Sequence, residues 1–361
     1  MRSPGRSLSA APEEVNQPTR PTVDDPSGGW SVGYAHLCYL RGVSLTPSPP
    51  WLSVIVELDN LLHGEVTRTG TMLTRLFDQI RENRLEPRVE VLVAYDETVL
   101  GPQDVHRIVT ASTPGESLVV QLVATKGLRY YSLKNEGARQ AKGEILLFVD
   151  SDCVPEEHWL RRLLEPFRNP EINIVTGNSY IDRDTFYAKT FAAGWYFPPR
   201  LPDGPLVIVR EPFANTLAMR RHTFEQYPFP EESALYMAQG RTWHETLAAN
   251  RVPIFLNPSA RVAHPPPVFL RSAIVNGYDT AQRTREPGES KLRSLKVSYR
   301  NFRGNLGMMF RRITLDYRDV GLPGAAVPLA IVLAGVYWTL WSMAELVARW
   351  APRLIPHRYL R

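Results

Sequence analysis

Two carboxylates one residue apart, Asp150 and Asp152, stand directly after the run Glu144-Ile-Leu-Leu-Phe-Val149. That run is apolar after its first residue and reads as a buried strand, so the acids are delivered to a strand end. Hard divalent cations such as Mn2+ and Mg2+ prefer carboxylate oxygens. A cation held there would neutralise a diphosphate departing from a sugar. Asp and Ser are also good helix N-caps. On its own, the motif therefore fits an acidic loop before the next helix equally well.

The chain around it alternates short β-branched runs with amphipathic stretches. Trp51 to Glu57, Val89 to Ala94, Ser117 to Ala124, Glu144 to Val149 and Asn173 to Thr176 read as strands. Apolar spacing at Met72, Leu73, Leu76, Phe77 and Ile80 predicts a helix over 69–83. Helices are also expected over 105–111, 129–142, ended by Gly143, and 156–167. Repeated β-α units of this length imply an α/β fold with a doubly wound, mostly parallel sheet. Ligands of such sheets bind beyond the carboxyl ends of the strands, where Asp96, Asp150 and Asp152 all fall.

In the segments LSVIVELDN, VEVLVAYDE, LKNEGARQAKGEILLFVDSD, FANTLAMRR and IFLNPSARVAH, in that order, the chain resembles the family 2 glycosyltransferases over about residues 51 to 265. The stretch from Asn135 to Asp152 is the most specific part. The resemblance implies a GT-A-type fold, a nucleoside diphosphate sugar donor and Mn2+ or Mg2+ at Asp150 and Asp152, with Asp152 the first candidate for the ligand. It implies that Asp96 hydrogen-bonds the nucleotide base, though Tyr95 stands where the family often has a second acid. Glu57 lies beside the base, where Glu is less usual, and Asp59 and Asn60 either serve the site or cap a turn. Arg129 and Lys134 face the diphosphate, a role that suits their charge; a solvated helix face would show the same residues. Asn215 would sit near the sugar or acceptor. His264 would close the domain near the metal, either as a ligand or as a structural histidine before Pro265. Asn135 and Gly137 resemble the family's Asn-x-Gly, whose glycine permits close helix–sheet packing.

One expected feature is missing. An inverting transferase deprotonates its acceptor with a general base, in this family the Asp of a Glu-Asp pair. Counting back from His264 by the family's spacing lands on Gln239-Gly240, and neither residue can act as a base. The nearby acids are Glu231, Glu232 and Glu245, and Glu245, on an expected helix over 242–250, is the candidate catalytic residue. Gln239-Gly-Arg-Thr-Trp243 resembles the QxxRW motif of processive synthases only in outline, with Thr242 where Arg belongs. Three readings stay open: an inverting transferase with a displaced base, a sugar-nucleotide-binding relative that has lost transfer, and a GT-A-fold nucleotidyltransferase. The last ranks lowest, because Glu57 to Gly64 is no Gly-rich phosphate loop.

The 361 residues carry 43% apolar side chains and a net charge of +5, an ordinary globular balance with a modest basic excess. Two isolated cysteines, Cys38 and Cys153, read as free thiols of a reducing compartment. Residues 1–29 are Pro-rich and polar with no apolar leader, and are expected to be disordered; 30–45 could form a short strand or two. Residues 30–270 form the expected glycosyltransferase-like domain. Residues 271–319 are a basic helical region without a nucleic-acid-binding motif, so no nucleic-acid partner is expected. Within 320–361, Val320 to Ala344 lacks any charged residue and is long enough to cross ~30 Å of hydrocarbon. Pro323 and Pro328 shorten the span and Glu345 ends it. Arginines on its far side blur the orientation rule, which a surface-lying helix would escape. The expectation is attachment to the cytoplasmic face of a membrane, with a glycan or lipid-linked acceptor.

Overall fold

The computed structural model describes residues 50–62, 66–112, 118–210, 212–231 and 239–355. The expectations for 1–29, for 30–45, for Cys38 and for Glu232 lie outside the described residues.

Four strands form the parallel half of the sheet: β1 (Leu52–Glu57), β2 (Val89–Asp96), β3 (Val119–Thr125) and β4 (Ile145–Asp150), in the order β3-β2-β1-β4. Every residue of β1, β2 and β4 is buried, as near-continuous apolar runs covered on both faces must be. The helices α1 (Val66–Glu82), α2 (Pro102–Ser112) and α3 (Tyr130–Gln140) connect them. The predicted apolar stripe of α1, Met72 to Ile80, is the buried one.

Beyond β4 the sheet becomes mixed. After the two-residue β5 (Val154–Pro155), β6 (Ile174–Ile181), β7 (Val207–Val209), β8 (Thr216–Arg220) and β9 (Ile254–His264) complete nine strands. β8 lies antiparallel between β4 and β6, and β6 runs parallel to β9. The helix expected over 156–167 is shorter: α4 (Trp159–Leu164) passes into a 3-10 turn over Glu165–Arg168, where Pro166 withholds a backbone donor. α5 (Phe186–Gly194), α6 (Arg221–Gln226) and α7 (Gln239–Ala249) fill the second half.

The basic region forms α8 (Phe269–Thr284) and the 26-residue α9 (Lys291–Asp316), and the uncharged stretch forms α10 (Val327–Trp350). Pro328 sits in the first turn of α10, where its missing N–H costs nothing. Glu345 ends the apolar run but not the helix. Its Oε1 accepts from Arg349 Nε at 3.1 Å and from Asn301 Nδ2 at 2.9 Å, and Arg349 Nη1 reaches Glu289 at 3.1 Å. Paired in this way, both charges stay inside. Ala330, Ala334, Tyr337 and Trp338 pack with Phe191 of α5 and Ile313 of α9 in a separate core.

Candidate active site

The register of β1 places Glu57 beside Ala94 on one side and Asp150 on the other, so the acids predicted from strand ends share one edge. Asp150 is turned inward. Buried Lys134 of α3 donates to its Oδ1 at 2.5 Å, and the Tyr130 hydroxyl lies 2.8 Å from Oδ2. Asn60 Nδ2 bridges Glu57 Oε1 at 3.0 Å and Asp150 Oδ2 at 3.2 Å. Burial, then the neighbouring Asp150 charge, pushes the Glu57 carboxyl well above its usual range. Lys134, expected to face a diphosphate, is thus fully enclosed in this cluster.

Asp152 faces a different partner. Its Oδ2 is 4.0 Å from His264 Nε2 at the end of β9, and the ligand atoms of Asp152, Cys153 and His264 lie within 4.8 Å of one another. His264 Nδ1 is 2.6 Å from the Pro265 carbonyl oxygen. A carbonyl only accepts, so Nδ1 carries a proton, and in the neutral ring the Nε2 lone pair is left for a metal. Burial raises the Asp152 carboxyl despite the opposing pull of His264 and Arg68. A buried carboxylate whose charge is incompletely offset, beside an imidazole nitrogen, is a donor set that suits Mn2+ or Mg2+. Cys153 does not belong to that set, because burial pushes its thiol well up and keeps it protonated.

Arg68 of α1 holds this corner together, and no sequence signal marked it. Its Nε donates to the Asp152 carbonyl at 2.6 Å and its Nη2 to the Ala263 carbonyl at 2.6 Å. One side chain therefore ties the acidic turn to the strand that ends in His264.

Asp96 collects donors on one oxygen, from the Thr98 backbone at 3.0 Å, the Thr98 hydroxyl at 2.8 Å and the Gly127 backbone at 3.0 Å. Burial raises its carboxyl, but these hydrogen bonds outweigh burial and the net shift is downward. Arg129, the N-cap of α3, is 3.7 Å from Asp59. Arg271 of α8 acts on the same carboxylate, and burial, opposed by that carboxylate, brings its guanidinium down to about 10. Two arginines, Arg129 and Arg271, thus stand among two acids, Asp59 and Asp96.

A cavity of about 580 Å3 opens next to Asp150, lined also by His264, Asn215 and Gly240, with Asp279 of α8 and Trp341 of α10 along its helical side. Asn215 Nδ2 donates to Ser179 Oγ at 3.0 Å, while its buried Oδ1 has no hydrogen-bond partner among the described residues. Such an acceptor normally finds one in a ligand or water.

Glu245 is not brought to this cavity. It sits on the outer face of α7, 66% exposed, with its carboxylate 3.4 Å from Arg241 one turn away. The apolar face of α7 turns Trp243 and Leu247 inward, and position 245 falls on the other side. Glu231 is engaged by Asn135 Nδ2 at 2.8 Å and by Arg139. Asn135 also staples the backbone of Phe229 in both directions, so the Asn-x-Gly pair is structural here.

Residues 66–226 match the family model described as glycosyl transferase family 2. Over 134 residues the chain is 28% identical to Glycosyltransferase AglE of Haloferax volcanii, a match covering 37% of this chain and 41% of that relative's length. Among solved structures, Mannosyltransferase PcManGT from Pyrobaculum calidifontis, described in complex with GDP-Man and Mn2+, superposes with a TM-score of 0.51 at 17% identity. That match covers 84% of this chain and 88% of that one, and it shows the fold. Acids at the ends of parallel strands, a family match that runs from α1 to α6 and a fold of the GT-A kind make the chain similar to the family 2 glycosyltransferases.

Proposed function

We propose that this chain transfers a sugar from a nucleoside diphosphate sugar to a hydroxyl acceptor, with inversion at the anomeric carbon. The observation that carries the reading is the Asp152–His264 pair: a buried, incompletely offset carboxylate facing an imidazole nitrogen at the ligand edge of a domain similar to the family 2 glycosyltransferases. Asp152 and His264 would hold Mn2+ or Mg2+, which when bound offsets the charge of the departing diphosphate.

The remaining groups bind and orient. Arg129 and Arg271 bring to the edge guanidinium groups that suit a diphosphate. Asp96, ionised and fixed by its turn, suits a base N–H, as the family resemblance implies. Lys134 and Tyr130 hold Asp150 rigid beside the cavity, and Asn215 Oδ1 offers an acceptor to a sugar hydroxyl. A GT-A neighbour that binds GDP-Man with Mn2+ supports a nucleotide-sugar donor.

The acceptor is read as a glycan or lipid-linked molecule of the cell envelope, met at the cytoplasmic face of a membrane. Support comes from α10, long and apolar enough to cross a membrane by length and composition, and from the aromatic cavity wall it shares. A second reading, donor binding without transfer, is favoured by Gln239-Gly240 at the expected base position and by the outward Glu245.

Calorimetric titration with UDP-, GDP- and dTDP-sugars, with and without Mn2+, tests the proposal. Metal-dependent binding of one donor that is lost in Asp152→Ala supports it. Binding indifferent to metal and to Asp152 contradicts it.

A further inference from the structure

We infer that α9 lies flat on an anionic lipid bilayer, with an apolar row at the boundary of headgroups and chains and a basic row against the lipid phosphates. The inference rests on the membrane part of the reading above and deepens it. It names the lipid chemistry, and it makes the helical layer lie on the membrane rather than cross it.

The sequence of α9 carries two rows. Leu292, Leu295, Tyr299, Phe302, Leu306 and Phe310 recur every three or four residues. At about 100° per residue, that spacing keeps them within about 80° of helix arc. Leu292, Leu295, Tyr299 and Phe310 are 62%, 45%, 57% and 54% exposed, and Phe302 and Leu306 are half-buried between them. Arg293, Lys296, Arg300, Arg303 and Arg311, all exposed, each stand one residue further on, about 100° round the helix. The buried face is a different one, made by Ser294, Ser298, Met309 and Ile313. Asp316, the last residue of α9, is its only acid.

Paired rows of this kind select among occupants. A bilayer surface takes both, the apolar row at the acyl boundary and the Lys and Arg heads reaching up to phosphate. A second copy docked through this face by two-fold symmetry would set basic row against basic row with no acid to pair. Duplex nucleic acid would meet the charges and leave the apolar row in water.

The packing of α10 decides between lying and crossing. The two helices run antiparallel: Asn301 Nδ2 donates to Glu345 Oε1 at 2.9 Å, and a Cβ on Gly194 would meet both Ile313 Cδ1 at 2.9 Å and Ala334 Cβ at 3.4 Å. The middle of α10 is fastened to α5 by Trp338 Nε1, which donates to the Gly194 carbonyl at 3.2 Å. A helix held this way could cross hydrocarbon only by drawing Arg303 and Arg311 of α9 in with it. Lying in plane, it leaves those charges at the phosphates.

The test is flotation of the full chain with two vesicles, phosphatidylcholine alone and an equal mixture of phosphatidylcholine and phosphatidylglycerol. The wild type should bind the mixed vesicles at least about tenfold better, and high salt should release it. Lys296→Glu with Arg300→Glu should weaken binding to mixed vesicles by at least about tenfold. Leu295→Ser with Tyr299→Ser should weaken it by at least about tenfold as well. All four positions are exposed, so the melting temperature should hold; should one pair misfold, the other decides. Flotation unchanged by either folded pair overturns the α9 surface and leaves membrane attachment standing. Flotation that survives high salt and alkaline carbonate belongs to a spanning helix and also overturns it. Retention of duplex DNA, or a dimer in solution, in place of flotation overturns it too. Absence of flotation with both vesicles sinks the α9 surface and membrane attachment together, whereas sugar transfer is read separately by the donor titration.

Discussion

At the ends of β1 and β4, Glu57 and Asp150 lie in register with one buried ammonium, Lys134, between the charges. Two acids and one base in a dry corner cannot all be ionised cheaply. The Glu57 carboxyl is held well above its usual range, first by burial and then by Asp150. The folded chain therefore binds a proton that the unfolded chain releases above the ordinary glutamate range near pH ~4.3. Stability present below that range falls as pH rises towards the folded value. Chemical denaturation across this window should show that decline, and Glu57→Gln should flatten it; equal slopes in both proteins would refute the assignment. Lys134→Met removes the cluster's only cation among the described residues and should cost about 3 kcal/mol or more in unfolding free energy, because the buried Asp150 charge loses its partner. None of this cluster's logic was visible in the chain as letters. Lys134 looked like a diphosphate ligand because its position and charge suit one, and only the inward turn of Asp150 shows what occupies it. Tyr130 carries no motif and was found by distance alone, and Asn60, read as a site residue or a turn cap, gave no hint of its bridge between Glu57 and Asp150.

Single elements explain why the acids stand where they do. α3 must lie tight on β1 for Lys134 to reach Asp150, and it does so at Gly137, where a Cβ would come within 2.6 Å of Ile55 Cγ2. Gly137→Ala should therefore destabilise by about 1–2 kcal/mol in thermal or denaturant unfolding, since overpacking exceeds the helix-propensity gain. A stabilised variant would show that the helix can lift freely. α1 contributes through Arg68, whose two carbonyl contacts join the Asp152 turn to β9. Arg68→Ala should weaken Mn2+ binding by about 10- to 100-fold, as loss of a supporting residue behind a metal ligand does, and an unchanged affinity would remove Arg68 from the account. The strands β1, β2 and β4 were legible to within a residue or two, because buried parallel strands are unbroken apolar runs. The antiparallel insertion of β8 between β4 and β6 was not, since periodicity tells a strand from a helix but not which neighbour it pairs with. The outward face of Glu245 was equally hidden until Trp243 and Leu247 fixed the rotation of α7.

Over the whole molecule, the sheet domain rests on a helical layer whose outer side is still apolar. Leu329, Val332, Val336 and Met343 form a stripe along α10, and Leu292, Leu295, Tyr299 and Phe310 lie exposed on α9 among its arginines and lysines. Its other residues pack against α5, α8 and α9, and its last turns are pinned by the Glu345–Arg349–Glu289 network. That geometry suits a helix lying in a membrane interface. Vesicles containing anionic lipid should co-float with the protein less well at high salt, and Val332→Glu with Val336→Glu should abolish flotation without shifting the melting temperature. Flotation untouched by these changes would contradict a membrane-facing stripe. The most direct test of the central claim is electron paramagnetic resonance of Mn2+ titrated into the protein with a nucleoside diphosphate. The account predicts loss of the free six-line Mn2+ signal at one equivalent in the wild type, and its return in Asp152→Ala. A free-ion signal that persists in the wild type, or that is lost equally in Asp152→Ala, would contradict it.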